Sequence, residues 1–389
     1  MAIGVKWLWW LVGLTGLSFW LWHGRHLLAG MLRPRRLSMV KPHADSQAPF
    51  VSVIVPARNE GESVRACLQS LLNQDYQQIE IVAVDDRSGD ATGAIMDAVA
   101  AIDRRVQVIH VTSLPEGWLG KCQANYLGAA VARGEWLLFT DGDIIFEPST
   151  LSRAISHVTG EGLDHLCLFP GLISDGGFEK AIVCCFGLLL SVVLKLWDVR
   201  NPLKPLAFCG IGAFNLVRAE AYRLSGGHER LRMEVADDVK LGKLLKMHGF
   251  VTDVLDGIEA IRVRWQRGYW GVVRGLEKNG FAGADFRTWK AFGGILALAA
   301  IAVLPIVGSA VAPGASKIPF VVWMIAEMLL LALGARSQGF SPILGGLFPV
   351  AMLGIVFALA RSVILALVRR GIYWRETFHS LEDLRRGVV

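Results

Sequence analysis

Apolar residues follow three different patterns along the chain. Residues 7–31 are almost continuously apolar and begin with a cluster of tryptophans, which is typical of a helix that spans a bilayer. From residue 50 the apolar runs become short and alternate with segments of helical spacing. Long apolar stretches return at 291–311, 318–333 and 342–368, and each is long enough to enter a bilayer. This order predicts a soluble domain between membrane-embedded ends.

Short apolar runs and helically spaced segments take turns in the middle of the chain. The runs predict strands at 51–56, 79–84, 106–111 and 136–140. The spaced segments predict helices at 60–73, 92–101, 121–132 and 237–247. Strands that alternate with helices are typical of βαβ units, so we predict an α/β fold with a mostly parallel sheet. Ligands of such sheets bind beyond the carboxyl ends of the strands.

Two apolar regions allow more than one interpretation. Residues 181–197 suit a core helix, a short membrane span or an interfacial helix, and we favour the interfacial helix.

The second region is the group of C-terminal apolar stretches. Three C-terminal crossings would place the tail opposite the soluble domain. The tail is basic, which instead predicts a cytoplasmic location, and its arginines are Arg369, Arg370, Arg375, Arg385 and Arg386. Either one stretch is re-entrant or 342–368 breaks near Gly354, so the number of crossings stays open.

Composition excludes several classes of protein. The chain is 53% hydrophobic and 19% charged, which rules out a disordered protein and a purely soluble enzyme. Its six cysteines form no C-x-x-C pair, so free thiols in a reducing compartment are expected rather than a disulfide scaffold. The net charge of +6 is uneven, with bases next to the apolar stretches and acids concentrated in 51–150. This distribution predicts contact with anionic lipids and no nucleic-acid partner.

Basic residues follow the first apolar stretch at Arg33, Arg35, Arg36 and Lys41. The positive-inside rule then places the next domain in the cytoplasm, at a bacterial-type inner membrane crossed several times. A long apolar stretch without a clear cleavage site argues against a signal peptide. The predicted organisation is a transmembrane helix (1–31), a basic linker (32–49), a soluble domain (50–290), a transmembrane region (291–368) and a basic tail (369–389).

Acidic residues lie where two predicted strands end. Asp85 and Asp86 follow the second strand and suit hydrogen bonds to a base or ribose, although a turn capped by Asp90 would use some of the same residues. Asp141 and Asp143 follow the fourth strand as a D-x-D motif. Their carboxylates are ligands that Mg2+ or Mn2+ accepts together with substrate phosphates. The sequence therefore predicts a metal site beside a nucleotide pocket.

Two helix starts carry further candidate residues. Lys121 follows a glycine-containing loop, and a positive charge at a helix N-terminus is unfavourable unless an anion is near, so it is a candidate phosphate contact. Asp237 and Asp238 begin another helix. Asp237 suits a helix cap, whereas Asp238 is the better candidate for a general base.

The remaining candidates lie in the first loop and before the C-terminal stretches. The loop after the first strand, which contains Pro56, Arg58 and Glu60, leads to a helix start that offers free N–H groups to a ligand. Arg264 and Trp265 belong to an interleaved basic and aromatic segment. That segment suits either a juxtamembrane anchor or a clamp on a diphosphate or acceptor.

Taken in order, these motifs resemble the family 2 glycosyltransferases, an inverting group with the GT-A fold. The resemblance covers about Ser52–Trp265 and includes V-x-V-I-V-P-A-R-N-E, V-D-D-x-S-x-D, G-K-x-x-A-x-N, D-x-D, the second acidic pair and R-W. It implies a nucleotide pocket of Pro56, Arg58, Glu60, Asp85 and Asp86, a base or diphosphate contact by Lys121, a metal–diphosphate unit at Asp141 and Asp143, and Asp238 as the base. It also implies an acceptor-side segment with Gly210 and Gly212.

The resemblance implies a nucleotide-sugar donor, UDP-linked, with Mg2+ or Mn2+ as cofactor. The flanking apolar segments and the L-P-x-G-W-x-G-K loop resemble enzymes with lipid acceptors, such as ceramide glucosyltransferase-like and hopanoid-associated enzymes. One departure is Ile261, which stands three positions before the Arg of R-W, where relatives of ceramide glucosyltransferase and of processive synthases carry Gln or Arg. It weighs against a processive polysaccharide synthase, which is one alternative. A non-catalytic membrane protein that kept the fold is the other.

Overall fold

The computed structural model describes residues 2–43, 48–374 and 377–389. Residues 44–47 of the predicted linker and Arg375 of the tail lie outside this description. The chain forms two compact units, and each is assembled from three separate stretches. The sheet unit comprises Arg35–Ile173, Leu194–Trp265 and Glu382–Val389, and the helical unit comprises Met1–Pro34, Ser174–Val193 and Gln266–Leu381.

The sheet unit is built around a set of strands. The described strands are β1 (Val51–Ala57), β2 (Ile79–Asp86), β3 (Val106–Val111), β4 (Trp136–Phe139), β5 (Ile145–Phe146), β6 (His165–Leu172), β7 (Asn215–Arg218), β8 (Thr252–Val263), β9 (Gly371–Trp374) and β10 (Thr377–Ser380). The first eight form one sheet in the order β3-β2-β1-β4-β7-β6-β8-β5.

The four strands that the sequence predicts lie together as the parallel half of this sheet. Every residue of β1 and β2 is buried, as expected for central parallel strands covered on both faces. Strand β7 pairs antiparallel with both β4 and β6, whereas β8 pairs parallel with β6. The prediction of a mostly parallel α/β sheet is confirmed.

Helices connect the strands and make up most of the helical unit. They are α1 (Ala2–Leu32), α2 (Val64–Leu72), α3 (Thr92–Ala100), α4 (Gly120–Val131), α5 (Thr150–Gly160), α6 (Gly177–Val193), α7 (Ala219–Ser225), α8 (Gly227–Arg230), α9 (Asp237–Met247), α10 (Gly268–Ala282), α11 (Thr288–Val311), α12 (Ile318–Ser337), α13 (Phe348–Arg369) and α14 (Leu381–Arg386). The helices predicted around 60–73, 92–101, 121–132 and 237–247 form as α2, α3, α4 and α9.

The basic segment before the sheet packs against β8. Arg35 donates two hydrogen bonds to the buried Asp253 carboxylate, at 2.8 and 2.7 Å. Arg36 pairs with Asp256 at 3.4 Å, and Leu37 is fully buried in the main core. Part of the basic charge that follows the first helix therefore stabilises the sheet unit through ion pairs.

The last eight residues also belong to the sheet unit. Leu384 is fully buried, and the main-chain oxygen of Val389 accepts hydrogen bonds from Lys240 at 2.9 Å and Lys243 at 2.6 Å. The Val389 N–H donates to Glu234 at 2.5 Å. These contacts stabilise α9 and the loop that precedes it.

Three helical segments of the helical unit are long and apolar enough to cross a membrane, at Thr288–Val311, Gly314–Ser337 and Pro342–Arg369. They correspond to the three predicted C-terminal stretches. The suggested break near Gly354 is wrong, because α13 runs through that position without interruption. A helix also forms at 7–31 as α1, and its crossing of the membrane stays a prediction. Helix α6, predicted as interfacial, packs against α12 and α13.

Candidate active site

Six of the predicted site residues line one open pocket at the carboxyl ends of β1 and β4. They are Pro56, Lys121, Asp141, Gly212, Asp237 and Asp238. They come from the end of β1, the first turn of α4, the loop after β4, the loop before β7 and the first turn of α9. The parallel strands bring these distant segments together, because their carboxyl ends meet at one edge of the sheet.

Lys121 is the positive centre of this pocket. Its Nζ atom lies 2.6 Å from Asp141 Oδ1 and 3.9 Å from Asp237 Oδ1. Burial opposes the charged ammonium group, but the carboxylates of Asp141, Asp237 and Asp238 outweigh it and raise the Lys121 pKa well above its usual range. Lys121 is therefore charged, and it neutralises part of an acidic cluster.

The Asp238 carboxylate is held by two main-chain donors. The Gly212 N–H donates to Oδ2 at 2.7 Å, and the Val239 N–H donates to Oδ1 at 2.8 Å. Burial and the neighbouring Asp237 raise the pKa of Asp238 to about 6, although Lys121 acts in the opposite direction. A carboxylate with this pKa is well matched to general base catalysis near neutral pH.

Glycines allow the loop before β7 to approach α9 closely. A β-carbon at Gly210 would overlap the Asp238 main-chain oxygen, and one at Gly242 would overlap the Cys209 main-chain oxygen. At Gly212 an added β-carbon would lie 2.6 Å from Asp141 Oδ2 and 3.3 Å from Asp238 Oδ2. The acidic side chains converge around Gly212 because no side chain fills that space.

Asp237 is held by buried polar residues that the sequence reasoning missed. The Asn125 side-chain amide donates to Asp237 Oδ2 at 3.1 Å, and His228 Nε2 lies 3.5 Å from the same oxygen. Burial raises the pKa of Asp237, but Lys121, His228 and Asn125 together lower it below the ordinary value. A signal for His228 was present as the pair Gly226-Gly227, which marks an unusual turn immediately before it.

Asp143 lies beside Asp141 and Glu60. Burial raises its pKa to about 7, and the charges of Asp141 and Glu60 act in the same direction. Within the described residues no group of three or more His, Cys, Asp or Glu side chains is arranged to hold a metal ion. Asp141 and Asp143 therefore fit a divalent cation only if substrate oxygens complete its coordination, as is common for Mg2+.

Hydrogen bonds join the loop after β1 to the turn after β2. The Asn59 N–H donates to Ser88 Oγ at 3.0 Å, and the Gly89 N–H donates to Asn59 Oδ1 at 2.8 Å. Asp90 accepts from the main chain of both Gly61 and Thr92. Asp90 thus accepts from the first residue of α3, although the cap position of that helix is occupied by Ala91. The first two motifs form one connected surface.

The other predicted nucleotide residues surround this surface. Asp85 accepts from the Ser88 N–H at 3.1 Å and lies 3.2 Å from His110 Nδ1. Asp86 pairs with Arg87 at 2.7 Å, and Arg58 is buried. None of these residues lines the pocket around Lys121. Arg264 and Trp265 follow β8 directly, and they also lie outside the set of described residues that line this pocket.

Comparison with known proteins identifies the domain that carries this pocket. Residues 52–222 match the model of glycosyl transferase family 2, which covers the chain from β1 to α7. Residues 52–222 form a glycosyl transferase family 2 domain. The acidic pair Asp237-Asp238 and the residue His228 lie beyond the matched residues, although they complete the same pocket.

Relatives with curated names are also glycosyltransferases. Glycosyltransferase GlyG of Streptococcus pneumoniae is 37% identical over 115 residues, which are 30% of this chain and 37% of that protein. The 4,4'-diaponeurosporenoate glycosyltransferase of Staphylococcus haemolyticus is 26% identical over 272 residues, covering 67% of this chain and 70% of that protein. The chain thus spans little more than a third of the length of GlyG.

A solved structure shares the fold over most of the chain. It is the mannosyltransferase PcManGT of Pyrobaculum calidifontis, in complex with GDP-Man and Mn2+. The match covers 92% of this chain and 99% of that one, with a TM-score of 0.54 and 17% identity. Together with the sheet order, this likeness confirms the predicted GT-A-like fold.

Proposed function

We propose that this protein is a membrane-bound inverting glycosyltransferase. It transfers a sugar from a nucleotide-sugar donor, UDP-linked, to a hydroxyl group of a lipid such as a hopanoid, a sphingolipid or another polyisoprenoid. The observation that carries the proposal is the convergence of Lys121, Asp141 and Asp238 on the glycine-lined space at Gly212. Such a transfer needs a cation, a carboxylate at a strand end and a carboxylate of raised pKa, which Lys121, Asp141 and Asp238 supply in that order.

Asp238 is the general base in this proposal. It takes the proton of the acceptor hydroxyl while that oxygen attacks the anomeric carbon from the face opposite the leaving diphosphate. The hydrogen bonds from Gly212 and Val239 hold its carboxylate in one orientation. Lys121 keeps Asp238 ionised, because its charge lowers the pKa of that carboxyl.

Asp141 and Asp143 are the proposed metal ligands, with Mg2+ or Mn2+ as the cofactor. Burial raises the pKa of Asp143 most, and the charges of Asp141 and Glu60 add to it, so a cation bound there would offset this repulsion. A divalent cation bound there supplies charge neutralisation for the leaving diphosphate. The Mn2+ and GDP-Man in the PcManGT complex support a metal and a nucleotide sugar as ligands of this fold.

The proposed acceptor is a lipid for two reasons. Three helical segments are apolar enough to cross a membrane, so the enzyme works beside lipids. The staphylococcal relative is named for 4,4'-diaponeurosporenoate. We further propose that the catalytic domain faces the cytoplasm at a bacterial-type inner membrane, because arginines flank the first and last apolar stretches.

The decisive variant is Asp238→Asn. Loss of the base is expected to lower transfer by ~10²–10⁴-fold while leaving nucleotide binding intact. Isothermal titration measures the binding, and radiolabelled transfer measures the turnover. The matched control is Asp75→Asn, a carboxylate-to-amide change at an exposed position of the same unit. Equal loss of binding and turnover in Asp238→Asn would remove Asp238 from the role of base.

The substrates are best identified with a panel of radiolabelled UDP- and GDP-sugars and a lipid extract of the host. Mass spectrometry of the product then gives both sugar and acceptor. A polymer of increasing length on a gel would instead indicate a processive synthase. Failure with every donor, including an absence of donor hydrolysis with added Mg2+ or Mn2+, would indicate a non-catalytic protein.

A further inference from the structure

A buried polar chain leads from α7 to Asp237. The Tyr222 hydroxyl lies 3.0 Å from His228 Nδ1 and also accepts a hydrogen bond from the His228 main-chain N–H at 3.1 Å. That hydroxyl hydrogen is then free to donate to Nδ1, which places the ring proton of His228 on Nε2. Nε2 faces Asp237 Oδ2 at 3.5 Å. His228 is therefore oriented on one side by Tyr222 and faces a carboxylate on the other.

The backbone before His228 is shaped for this contact. Gly226 and Gly227 have φ values of 87° and 47°, which lie in the left-handed region that favours glycine. A β-carbon at Gly227 would overlap the Tyr222 ring. The two glycines thus let the chain turn tightly enough to bring His228 over Tyr222.

The same cluster contacts β4, the strand that leads to Asp141. The Phe139 ring lies 5.2 Å from the Tyr222 ring and 4.7 Å from the His228 ring, measured between ring centres. Phe139 is the last residue of β4, and Asp141 follows two residues later. The aromatic cluster therefore supports both carboxylates that flank Lys121, namely Asp141 and Asp237.

We propose that His228 is a positioning residue for Lys121. It fixes the Asp237 carboxylate, and Asp237 and Asp141 together hold the ammonium group in the pocket. The proposal rests on the proposed function, because it assigns His228 to the same active site. His228 is buried beside Asp237, and in this role it positions the Asp237 carboxylate and transfers no proton.

Two variants of His228 separate its two contacts. His228→Asn places an amide near the Nδ1 position, which keeps the Tyr222 contact and loses the one with Asp237. His228→Gln extends an amide to the Nε2 position and keeps the Asp237 contact. Displacing a catalytic group by about 1 Å costs on the order of 10²-fold in rate, so His228→Asn is expected to lower kcat by about that factor.

The pattern of kinetic constants identifies a positioning role. In His228→Asn the donor KM should stay within about threefold of the wild-type value, because the loss falls on the transition state. His228→Gln should recover most of kcat. His248→Asn makes the same change at an exposed histidine and should have no effect. The two variants could instead lose kcat equally and lose thermal stability equally. That result would show that His228 has only a structural role.

A second measurement needs no activity. Acylation of lysine amines in the full-length protein, read by mass spectrometry, reports how firmly Lys121 is held. His228→Asn should raise the labelling rate of Lys121 several-fold relative to Lys243 in the same sample, and His228→Gln should not. Unchanged labelling overturns the positioning proposal even if transfer is robust. If His228→Asn raises the labelling of Lys121 but the wild-type protein transfers no sugar, only the proposed function is contradicted.

Discussion

The ammonium group of Lys121 lies 2.6 Å from the carboxylate of Asp141, although Lys121 belongs to α4 and Asp141 to the loop after β4. Lys121 stands in the first turn of α4, where a positive charge is opposed by the helix dipole. The surrounding carboxylates more than offset this effect. The ion pair links the residue predicted to contact phosphate with the residue predicted to bind metal.

Replacing Lys121 should therefore impair catalysis in a specific way. Lys121→Met removes a charge that faces the reacting groups, and loss of one such electrostatic contact costs about 10²–10³-fold in kcat. The exposed Lys204→Met is the matched control and should behave as wild type. Steady-state kinetics on both variants measure the difference. Near wild-type turnover in Lys121→Met would show that the ion pair has no catalytic part.

Activity should depend on the ionisation of Asp238. The base acts only as the carboxylate, and its pKa is raised to about 6. Turnover should be constant above this pKa and fall tenfold per pH unit below it. A rate profile from pH 5 to 8, with circular dichroism to verify folding, measures this. In Lys121→Met the fall of the rate at acid pH should begin at a higher pH, because Lys121 no longer lowers the pKa of Asp238. A profile that is flat down to pH 5 argues for a different base.

Gly212 should not tolerate a side chain. A β-carbon there would lie 2.6 Å from Asp141 Oδ2, so Gly212→Ala is expected to displace a carboxylate and lower kcat by roughly 10²-fold. Gly160→Ala is the control, because nothing lies within 4 Å of its added β-carbon. Turnover and thermal unfolding are measured for both. Full activity of Gly212→Ala would show that the pocket reorganises around a methyl group.

The ion pair between Arg35 and Asp253 should contribute to stability. Arg35→Ala removes two hydrogen bonds to a buried carboxylate, each bond to a charged group contributing about 1.5–3 kcal/mol, and His157 at 3.0 Å remains to compensate in part. Combined with Asp253→Asn, the loss in unfolding free energy should be smaller than the sum of the single losses.

The control for that pair is Arg262→Ala, which breaks an exposed contact with Glu147 at 3.3 Å. An exposed pair contributes at most about 1 kcal/mol, so this change should be small. Denaturant unfolding in detergent measures all four variants. Additive effects of Arg35→Ala and Asp253→Asn would mean that the two residues do not cooperate.

The parallel half of the sheet was predictable because its signal is local. Strands β1 and β2 are buried throughout, so they appear in the sequence as unbroken apolar runs. Strand β8 carries four acidic or basic residues, and its partner Arg35 stands 218 positions away from Asp253. A single sequence contains no record of that contact, so β8 and its place in the sheet were not predicted.

In the candidate site, too, some residues have a local sequence signal and others are found only through tertiary contacts. Lys121, Asp141 and Asp238 are charged residues at element ends, and their chemistry is visible without a structure. His228 lies in a helix of four residues, and only the tertiary packing of Tyr222 and Phe139 brings it to Asp237. Arg264 and Trp265 were selected from a short motif, and their proposed part in acceptor binding stays a prediction.

The division of each unit into three stretches of chain has a practical consequence. A soluble form of the enzyme cannot be made by stopping the chain before α11, because that deletion also removes Leu384 from the core and the Val389 contacts from Lys240 and Lys243. A water-soluble version would need its final eight residues rejoined to the sheet unit by a linker. Genetic fusion at the C-terminal end carries the same risk, since a tag there would sit beside the loop that leads into Asp237.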